Sequence, residues 1–390
     1  MRMRHPDGTL VHLAYCTNVH PAEDLDGVIE QLRRFAGPVR ERLGVSRLGV
    51  GLWLARDVAT TLRADPDVLA RLKAELDSLG LEVVTFNGFP YAGFHATTVK
   101  KAVYRPDWTE SERLDYTLDL AYLLAALLPA DAARGSISTL PMGWREPWGA
   151  EQQAAAEAQL GLLAEGLAAV REKTGRTIRV AFEPEPGCII ENTTQAADRL
   201  GPLASDVLGV CLDACHLAVG FEEPEPALDR LSGAGLDVVK FQASAALHVD
   251  EPGAPAAQAA LRAFAEERFL HQVRERTDTA PLARDDLPGA LTGPDPLPGE
   301  DAWRVHYHVP MHAEPEPPLR STRDHLDATL GALFGGDTAR TDHVELETYT
   351  WGVLPEGSRP KDDEGLVNGI AAELEWVRDR LVAHGMTETR

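Results

Sequence analysis

Short apolar runs recur along the chain, and longer amphipathic segments separate most of them. Eight of these runs predict β-strands, at 11–16, 47–54, 81–87, 135–140, 178–183, 208–213, 237–242 and 343–348. Each run is rich in β-branched or small residues and lies between turn residues, as strands do. Eight is the number of strands that a closed parallel barrel requires.

Amphipathic patterns between the runs predict helices at 24–44, 110–128, 154–172 and 362–384. Thr109 stands three residues before Glu112, and this spacing predicts a capping box at the start of the second helix. Alternation of strands and helices indicates βαβ units in a parallel sheet. We therefore expect an α/β fold, a (β/α)8 or TIM barrel, in a single domain spanning 1–390.

One interval is too long for an ordinary barrel connection. About eighty residues rich in Pro, Ala, Gly and Asp separate Gln242 from the helix predicted at 324–334. They contain a predicted helix at 256–267 and a possible strand pair at 269–275 and 303–309. Because this insertion follows the seventh strand, it must lie over the C-terminal face of the barrel. We expect its residues 243–312 to act as a lid.

Four of the predicted strands end in a side chain that can bind a metal ion. These side chains are Glu183, Asp213, Gln242 and Glu347, which offer three carboxylates and one amide oxygen. Hard oxygen ligands suit Mg²⁺ or Mn²⁺, and Zn²⁺, Co²⁺ or Fe²⁺ would also be accepted. The alternative is that each carboxylate pairs with an Arg or Lys, or ends its strand in water.

Residues two apart in a strand share a face, which places a second polar layer below these strand ends. Lys240 and Glu345 fall in that layer on strands that would be neighbours. We expect them to form an internal ion pair, because an unpaired buried charge costs several kcal/mol. Lys240 is also a candidate for substrate contact. The intervening residues, such as Val239 and Phe241, are predicted to face the helices.

Histidines near the strand ends and in the insertion are further candidates. His216 follows Asp213 by three residues and could bind a second ion, orient Asp213 or be structural. His306, His308 and His312 lie in the expected lid, where they could bind substrate, supply a ligand or act as an acid. A solvated histidine-rich strand is the alternative. The other candidates for substrate contact are His20, Asn87, Glu185 and Trp351.

Composition narrows the classes of partner. The chain is 44% hydrophobic, which allows a sizeable core, and its formal net charge of −23 disfavours long nucleic acids and anionic membranes. No run approaches the roughly 18 apolar residues of a membrane span. Four cysteines do not make a disulfide framework in a chain of this length. A small-molecule partner and a cytoplasmic location are expected, and the oligomeric state stays open.

The strand-end motifs occur in a defined order along the chain. They read Phe-Glu183-Pro-Glu-Pro-Gly, Leu-Asp213-Ala-Cys-His216, Lys-Phe-Gln242 and Leu-Glu347-Thr. This order resembles the xylose isomerase-like TIM-barrel superfamily, which contains sugar isomerases, ketose 3-epimerases, hydroxypyruvate isomerase, inosose dehydratase and endonuclease IV. The segments around His20, His306 to His308 and Glu347 to Trp351 are more narrowly similar to the EboE family of metabolite-traffic proteins.

The resemblance implies a divalent metal held by Glu183, Asp213, Gln242 and Glu347, with the two glutamates also moving protons on opposite faces of a substrate. Gln242 departs from the commoner pattern, because many relatives have histidine there. The implied function is a metal-dependent isomerase or epimerase that acts on a small polyhydroxy carbonyl metabolite through an enediolate.

Two other functions remain as alternatives. One is a non-catalytic, metal-containing protein that binds a metabolite of an ebo-type pathway. The other is a metallo-phosphoesterase of the endonuclease IV type. That class uses several histidine ligands, which His216 and the histidines of the insertion would have to supply.

Overall fold

Eight parallel strands form a closed barrel in the computed structural model, which describes residues 1–389. We label them β1 to β8: Leu10–Cys16, Leu48–Leu52, Leu81–Asn87, Arg134–Thr139, Thr177–Phe182, Leu208–Asp213, Val238–Ala243 and His343–Leu346. Each strand pairs with the next along the chain, and β8 also pairs with β1, where Leu346 lies opposite Tyr15. This closure confirms the (β/α)8 barrel that the sequence predicts.

Helices cover the outside of the barrel and occupy the connections. Their bounds are Leu25–Gln31, Gly37–Leu43, Arg56–Ala64, Pro66–Ser78, Ser111–Leu127, Ala150–Thr174, Thr193–Leu200, Ala214–Val219, Pro224–Gly233, Pro255–Arg262, Leu287–Thr292, Arg323–Phe334 and Asp363–Ala383. A π-helical stretch, Leu32–Ala36, joins the first two. Single 3₁₀ turns occupy Thr17–Val19, Lys100–Tyr104, Gly201–Leu203, Tyr349–Gly352 and Glu356–Ser358. Each predicted helix is present, with shifts at the ends.

Two local predictions are wrong. The helix Ser111–Leu127 has no capping box, because the Thr109 hydroxyl donates to Asp107 Oδ1 at 2.5 Å and does not cap the helix. Val239 does not join the helix-facing layer but packs with the small residues Ala181 and Cys211. Its position follows from an irregular register between β6 and β7. Val210 of β6 lies opposite Val238, and the next residue, Cys211, lies opposite Lys240, so Val239 has no partner on β6.

The insertion after β7 builds a second sheet. Its strands, in spatial order, are Leu282–Arg284, Val273–Glu275, Trp303–Val305, Leu247–Val249 and Arg320–Ser321, and all neighbours are antiparallel. The predicted strand pair is therefore present, although each of its strands has three residues. The second sheet is tied to the segment that leaves β7, since Val309 N donates to Ala245 O at 2.9 Å and Thr322 N donates to Ala246 O at 2.9 Å.

The barrel core is apolar on its helix-facing side and polar near the C-terminal ends of β5 to β8. Side chains such as Val180, Phe182, Val210 and Phe241 belong to one continuous buried cluster. Within residues 1–389, no helix combines the length and the apolar character needed to span a bilayer. The polar side chains at the strand ends define the candidate site.

Candidate metal and active site

Four polar side chains meet where β5, β6, β7 and β8 end. Gln242 Nε2 donates to Glu183 Oε1 at 2.8 Å and to Glu347 Oε2, and it lies 3.4 Å from Asp213 Oδ2. An oxygen from each of the three carboxylates lies within 4.8 Å of the other two. None of the four residues is more than 5% exposed. The structure thus places the four expected ligands around one point inside the barrel mouth.

Asp213 is held in a fixed orientation. Its Oδ1 atom accepts hydrogen bonds from Ser244 Oγ at 2.8 Å and from the backbone N–H of His216 at 2.9 Å. The second bond is an N-cap of the short helix Ala214–Val219, which explains why the chain turns directly after β6. Oδ2 is left to face the cluster.

Glu347 is oriented by two asparagines that follow β1 and end β3. Asn18 Nδ2 donates to Glu347 Oε1 at 2.7 Å, and Asn87 Nδ2 donates to the same oxygen at 2.8 Å. Two acceptor atoms of the cluster, Glu183 Oε2 and Gln242 Oε1, are buried without a hydrogen-bond partner. Buried polar atoms rarely remain unpaired, so these two oxygens are available to bind a cation.

The cluster carries more negative charge than the protein around it compensates. Burial, followed by repulsion from Glu347 and Asp213, raises the pKa of Glu183 well above its usual range. Burial and then Asp213 raise the pKa of Glu347 in the same way. Across residues 1–389, no Arg or Lys side chain forms an ion pair with any of the three carboxylates. The donor set, the unpaired oxygens and the charge therefore fit a divalent cation.

Lys240 and Glu345 form the expected ion pair one layer below the cluster. Lys240 Nζ lies 2.6 Å from Glu345 Oε2, and both side chains are completely buried. The ammonium also donates to Ser138 Oγ at 3.1 Å. Gly51 on β2 makes room for this pair, because a Cβ atom there would lie 1.3 Å from Glu345 Oε1.

Three histidines line the opposite side of Asp213. His216 Nε2 lies 3.0 Å from His306 Nε2, and His308 Nε2 lies 4.0 Å from Asp213 Oδ2. Burial lowers the pKa of His216 to about 4, lowers that of His306 well below its usual value, and lowers that of His308. The strand Trp303–Val305 ends before His306, so the backbone beyond the strand, and not a strand face, carries His306 and His308 to the site.

Glu185 lies beside this histidine group in a hydrogen-bonded chain. Tyr104 OH donates to Glu185 Oε1 at 2.6 Å, and Gln272 Nε2 donates to Tyr104 OH at 3.0 Å. Burial raises the pKa of Glu185 to about 8. Glu185 Oε1 lies 3.7 Å from His306 Nδ1, which places this carboxyl group next to the histidines but outside hydrogen-bond distance.

A pocket opens above the cluster. Its polar floor includes Asn18, Asn87, Glu183, Glu185, His216, His306, His308 and Glu347. Its wall is aromatic: the ring centroids of Phe94 and Phe269 are 5.1 Å apart, and those of Phe269 and Tyr349 are 4.9 Å apart. Such a wall offers an apolar surface next to the polar floor.

Four of the expected substrate-contact residues lie outside this pocket. His20 stacks on Phe35 with ring centroids 4.4 Å apart. His312 stacks on Trp351 with centroids 6.0 Å apart, and both line a separate cavity. The fourth, Lys240, is buried below the cluster in its ion pair.

Several residues around the site were not anticipated from the sequence. Asn18 and Ser244 could have been found, because each lies within two residues of a predicted strand end or ligand, where barrel sites take their side chains. Tyr104 and Gln272 carry no comparable signal. They come from connections whose path depends on the folded insertion.

Comparison with known proteins places this fold in a family. A family model described as "Xylose isomerase-like TIM barrel" matches residues 44–254, more than half of the chain. The chain belongs to this family. The matched range includes Glu183, Asp213 and Gln242 and ends before His306, His308 and Glu347. No curated protein gives a significant match.

Solved structures of similar shape are distant in sequence. D-psicose 3-epimerase from Clostridium cellulolyticum H10, solved with D-tagatose, shares 12% identity at a TM-score of 0.50, covering 95% of this chain and 99% of its own. A D-allulose 3-epimerase from Methylomonas sp. shares 12% identity at a TM-score of 0.49, covering 97% of this chain and 100% of its own. The IolI protein, solved with a bound zinc atom, shares 13% identity at a TM-score of 0.49, covering 96% of this chain and 99% of its own. At 12% identity, the similarity to the D-psicose 3-epimerase structure supports the fold and nothing beyond it.

Proposed function

We propose that this protein is a metal-dependent isomerase or epimerase of a small polyhydroxy carbonyl metabolite. The observation that carries the proposal is the meeting of three buried carboxylates and one amide at a point where no Arg or Lys of residues 1–389 forms an ion pair with them. Glu183, Asp213, Gln242 and Glu347 would hold the ion. Their oxygen atoms favour Mg²⁺ or Mn²⁺, with Zn²⁺, Co²⁺ or Fe²⁺ as the next candidates.

The bound ion would supply positive charge that stabilises an oxyanion next to a carbon from which a proton is removed. In the proposal, Glu183 and Glu347 move that proton. They project from separate strands, β5 and β8, which lets them address a substrate from two sides. Both side chains are carboxylates, which can act as general bases toward a proton next to a carbonyl group.

The polar floor of the pocket would orient the substrate. Asn18 and Asn87 hold Glu347 Oε1, so Oε2, which accepts from Gln242 Nε2, faces the cluster. Asn87, Glu185, His306 and His308 line the pocket and are the proposed contacts for substrate oxygens. We propose that the insertion 243–312 serves as the lid, because it supplies Phe269 and both histidines to the pocket.

The experiment that tests this function follows the exchange of carbon-bound hydrogen. The metal-loaded protein is incubated in D₂O with a panel of ketoses that includes D-psicose and D-tagatose, and deuterium incorporation next to the carbonyl is followed by NMR. We expect exchange with at least one member of the panel, and loss of that exchange in Glu183→Gln and Glu347→Gln. Retention of full exchange in both variants would overturn the assignment of the proton-transfer pair.

The same panel of ketoses distinguishes an enzyme from the non-catalytic alternative. A protein that only binds a metabolite would show metal-dependent binding by calorimetry and no deuterium incorporation. Placement in an ebo-type metabolite pathway is also a proposal, and the segments around His20, His306 and Trp351 support it through their similarity to EboE proteins.

A metallo-phosphoesterase of the endonuclease IV type is the second candidate. The observation in its favour is the approach of His216, His306 and His308, which supplies the histidines that this class uses. The net charge of −23 opposes binding to duplex DNA. Incubation with DNA that contains an abasic site tests it directly, since strand cleavage would favour the esterase and intact DNA would exclude it.

A further inference from the structure

Tyr349 stands two residues after Glu347, on the 3₁₀ turn that follows β8. It lines the pocket above the acidic cluster. Aromatic neighbours hold its ring: the ring centroids of Phe94, Phe269 and His308 lie 5.4, 4.9 and 4.7 Å from that of Tyr349. The side chain therefore stands in the pocket with its ring packed on three sides.

The backbone that carries Tyr349 is fastened by the residues before and after it. Thr348 Oγ1 donates to Glu373 Oε1 on the last helix at 2.8 Å, and Thr350 Oγ1 donates to the backbone oxygen of His308. These bonds tie the turn to the barrel on one side and to the insertion on the other. A donor mounted in this way keeps one orientation, as a preorganised catalytic group must.

The hydroxyl group of Tyr349 is available for a ligand. Within residues 1–389 it makes no hydrogen bond, whereas the other tyrosine of the pocket, Tyr104, donates to Glu185 Oε1 at 2.6 Å. Tyr349 is only partly buried, in contrast to Tyr307, whose hydroxyl group is enclosed without a partner. A phenol is neutral near pH 7 and donates one hydrogen bond.

The ammonium group in the pocket wall is already used by the protein. Lys100 Nζ donates to Asp286 Oδ2 at 2.7 Å, to the backbone oxygen of Phe269 at 2.7 Å and to that of Glu266 at 3.1 Å. An ammonium group has three N–H donors, so none is left for a ligand. Lys100 is the sole Lys or Arg among the residues that line the pocket. A phosphate group would find no free cationic side chain there, which favours an unphosphorylated substrate.

We propose that Tyr349 is a catalytic residue that donates a hydrogen bond to a hydroxyl or carbonyl oxygen of an unphosphorylated ketose. The inference rests on the proposed function and adds a donor that ionised carboxylates cannot supply. When a carboxylate takes the proton from carbon, negative charge grows on the neighbouring oxygen, and a hydrogen bond to that oxygen becomes stronger. Tyr349 lies outside residues 44–254, so the match to the family model does not extend to it.

Deuterium exchange in Tyr349→Phe tests the proposal. The substitution removes one oxygen atom and keeps the ring against Phe94 and Phe269. With the ketose that the wild type uses, we expect kcat to fall about 10–1000-fold and KM to change little. The matched control is Tyr307→Phe, because its ring lies outside the pocket, stacked on His271 with centroids 4.4 Å apart, and it should keep the wild-type kcat. Wild-type kcat in Tyr349→Phe, or an equal loss in Tyr307→Phe, would overturn the proposal.

The split between kcat and KM excludes a merely structural role. A variant with a loosened pocket would bind the ketose more weakly, so calorimetry on the metal-loaded proteins should give similar affinities for the wild type and Tyr349→Phe. A loss of affinity as large as the loss of kcat would contradict a role in the transition state. The melting temperatures of both tyrosine variants report whether they fold like the wild type.

The outcomes also separate this inference from the proposed function. Exchange in the wild type with an unchanged kcat in Tyr349→Phe would overturn the inference and leave the function standing. No exchange with any ketose would overturn the function, and the catalytic role of Tyr349 with it. D-tagatose 6-phosphate should show a kcat/KM about tenfold or more below that of D-tagatose, since its charge meets carboxylates and no free ammonium group. A higher kcat/KM for the phosphate would contradict the unphosphorylated substrate.

Discussion

Gln242 Nε2 lies between Glu183 and Glu347 and donates a hydrogen bond to each carboxylate, at 2.8 Å to Glu183 Oε1. The amide nitrogen thus brings partial positive charge to the place where the carboxylates need it. The amide oxygen, Oε1, has no partner in this arrangement. Half a turn of the amide would exchange the two atoms and turn Gln242 from a donor into a ligand, an arrangement that a cation in the cluster would favour.

The identity of residue 242 should set the metal preference. Gln242→His replaces an amide oxygen with an imidazole nitrogen, so we expect affinity for Zn²⁺ or Co²⁺ to rise relative to Mn²⁺. Gln242→Ala should weaken Mn²⁺ binding by about tenfold or more, because one ligand is lost. Competition titrations with the two metals measure both effects. An unchanged Zn²⁺ to Mn²⁺ ratio in Gln242→His would contradict this role.

The two glutamates of the cluster should be needed for turnover and not for folding. Glu183→Gln and Glu347→Gln keep the shape of the side chain and remove a base, so we expect a fall in kcat of at least about 100-fold in each. The melting temperature without metal should stay the same or rise, because the burial and mutual repulsion that raise the pKa of these glutamates no longer act on an ionisable group. Asp363→Asn, at the exposed start of the last helix, is a control that should leave kcat unchanged.

The stability of the ion-free protein should fall as pH rises above neutrality. Glu183 and Glu347 have raised pKa values in the folded state, and Glu185 is raised to about 8, so the folded protein holds protons that the unfolded chain has already released. Raised folded pKa values contribute stability at low pH that is lost as pH passes through them. Each such proton makes stability fall by about 1.4 kcal/mol per pH unit.

Denaturant unfolding between about pH 7.5 and 9 checks this dependence, because nearly all histidine side chains are neutral there in both states. We expect a downward slope for the ion-free protein, a smaller slope in the Glu183→Gln, Glu347→Gln double variant, and proton release when Mn²⁺ binds at pH 7. Calorimetry in buffers of different ionisation enthalpy counts those protons. A flat or rising stability profile together with no proton release would show that the carboxylates are already ionised.

Gly51 should be required for the charge pair below the cluster. A Cβ atom at this position would meet Glu345 Oε1 at 1.3 Å, so Gly51→Ala must displace the carboxylate that neutralises Lys240. We expect a loss of stability of about 3 kcal/mol or more, as for other broken buried ion pairs. Gly161→Ala is the matched control, because its added Cβ meets nothing within 4 Å in the middle of a helix. The control should be neutral or stabilising by about 0.5–1 kcal/mol.

The barrel and the acidic cluster were accessible from sequence because their signals are local. Apolar runs gave all eight strands, and period-two alternation placed Lys240 and Glu345 below the strand ends, where the structure pairs them. The four polar strand ends could be expected to meet because parallel strands of a closed barrel release their C-terminal residues on one face.

The parts that were not accessible depend on contacts between distant segments. His312 and Trp351 lie in segments where substrate contacts were expected, yet their side chains line a separate cavity. The packing of these segments against the last helix, where Trp351 contacts Gly369, sets the side-chain orientation, and the spacing of residues in the sequence does not reveal it. The capping box at Thr109 failed because Asp107 competes for the same hydroxyl. Gln272 gave no signal, since its role exists only once the second sheet brings it against His306.

A crystal structure of the protein soaked in Mn²⁺, with anomalous scattering data, tests the central claim most directly. The account predicts an anomalous peak bonded to Glu183, Asp213, Gln242 and Glu347 at about 2.0–2.6 Å. The account would be contradicted by a fully occupied Mn²⁺ site elsewhere. It would also be contradicted if no ion were bound and Arg or Lys side chains held the three carboxylates.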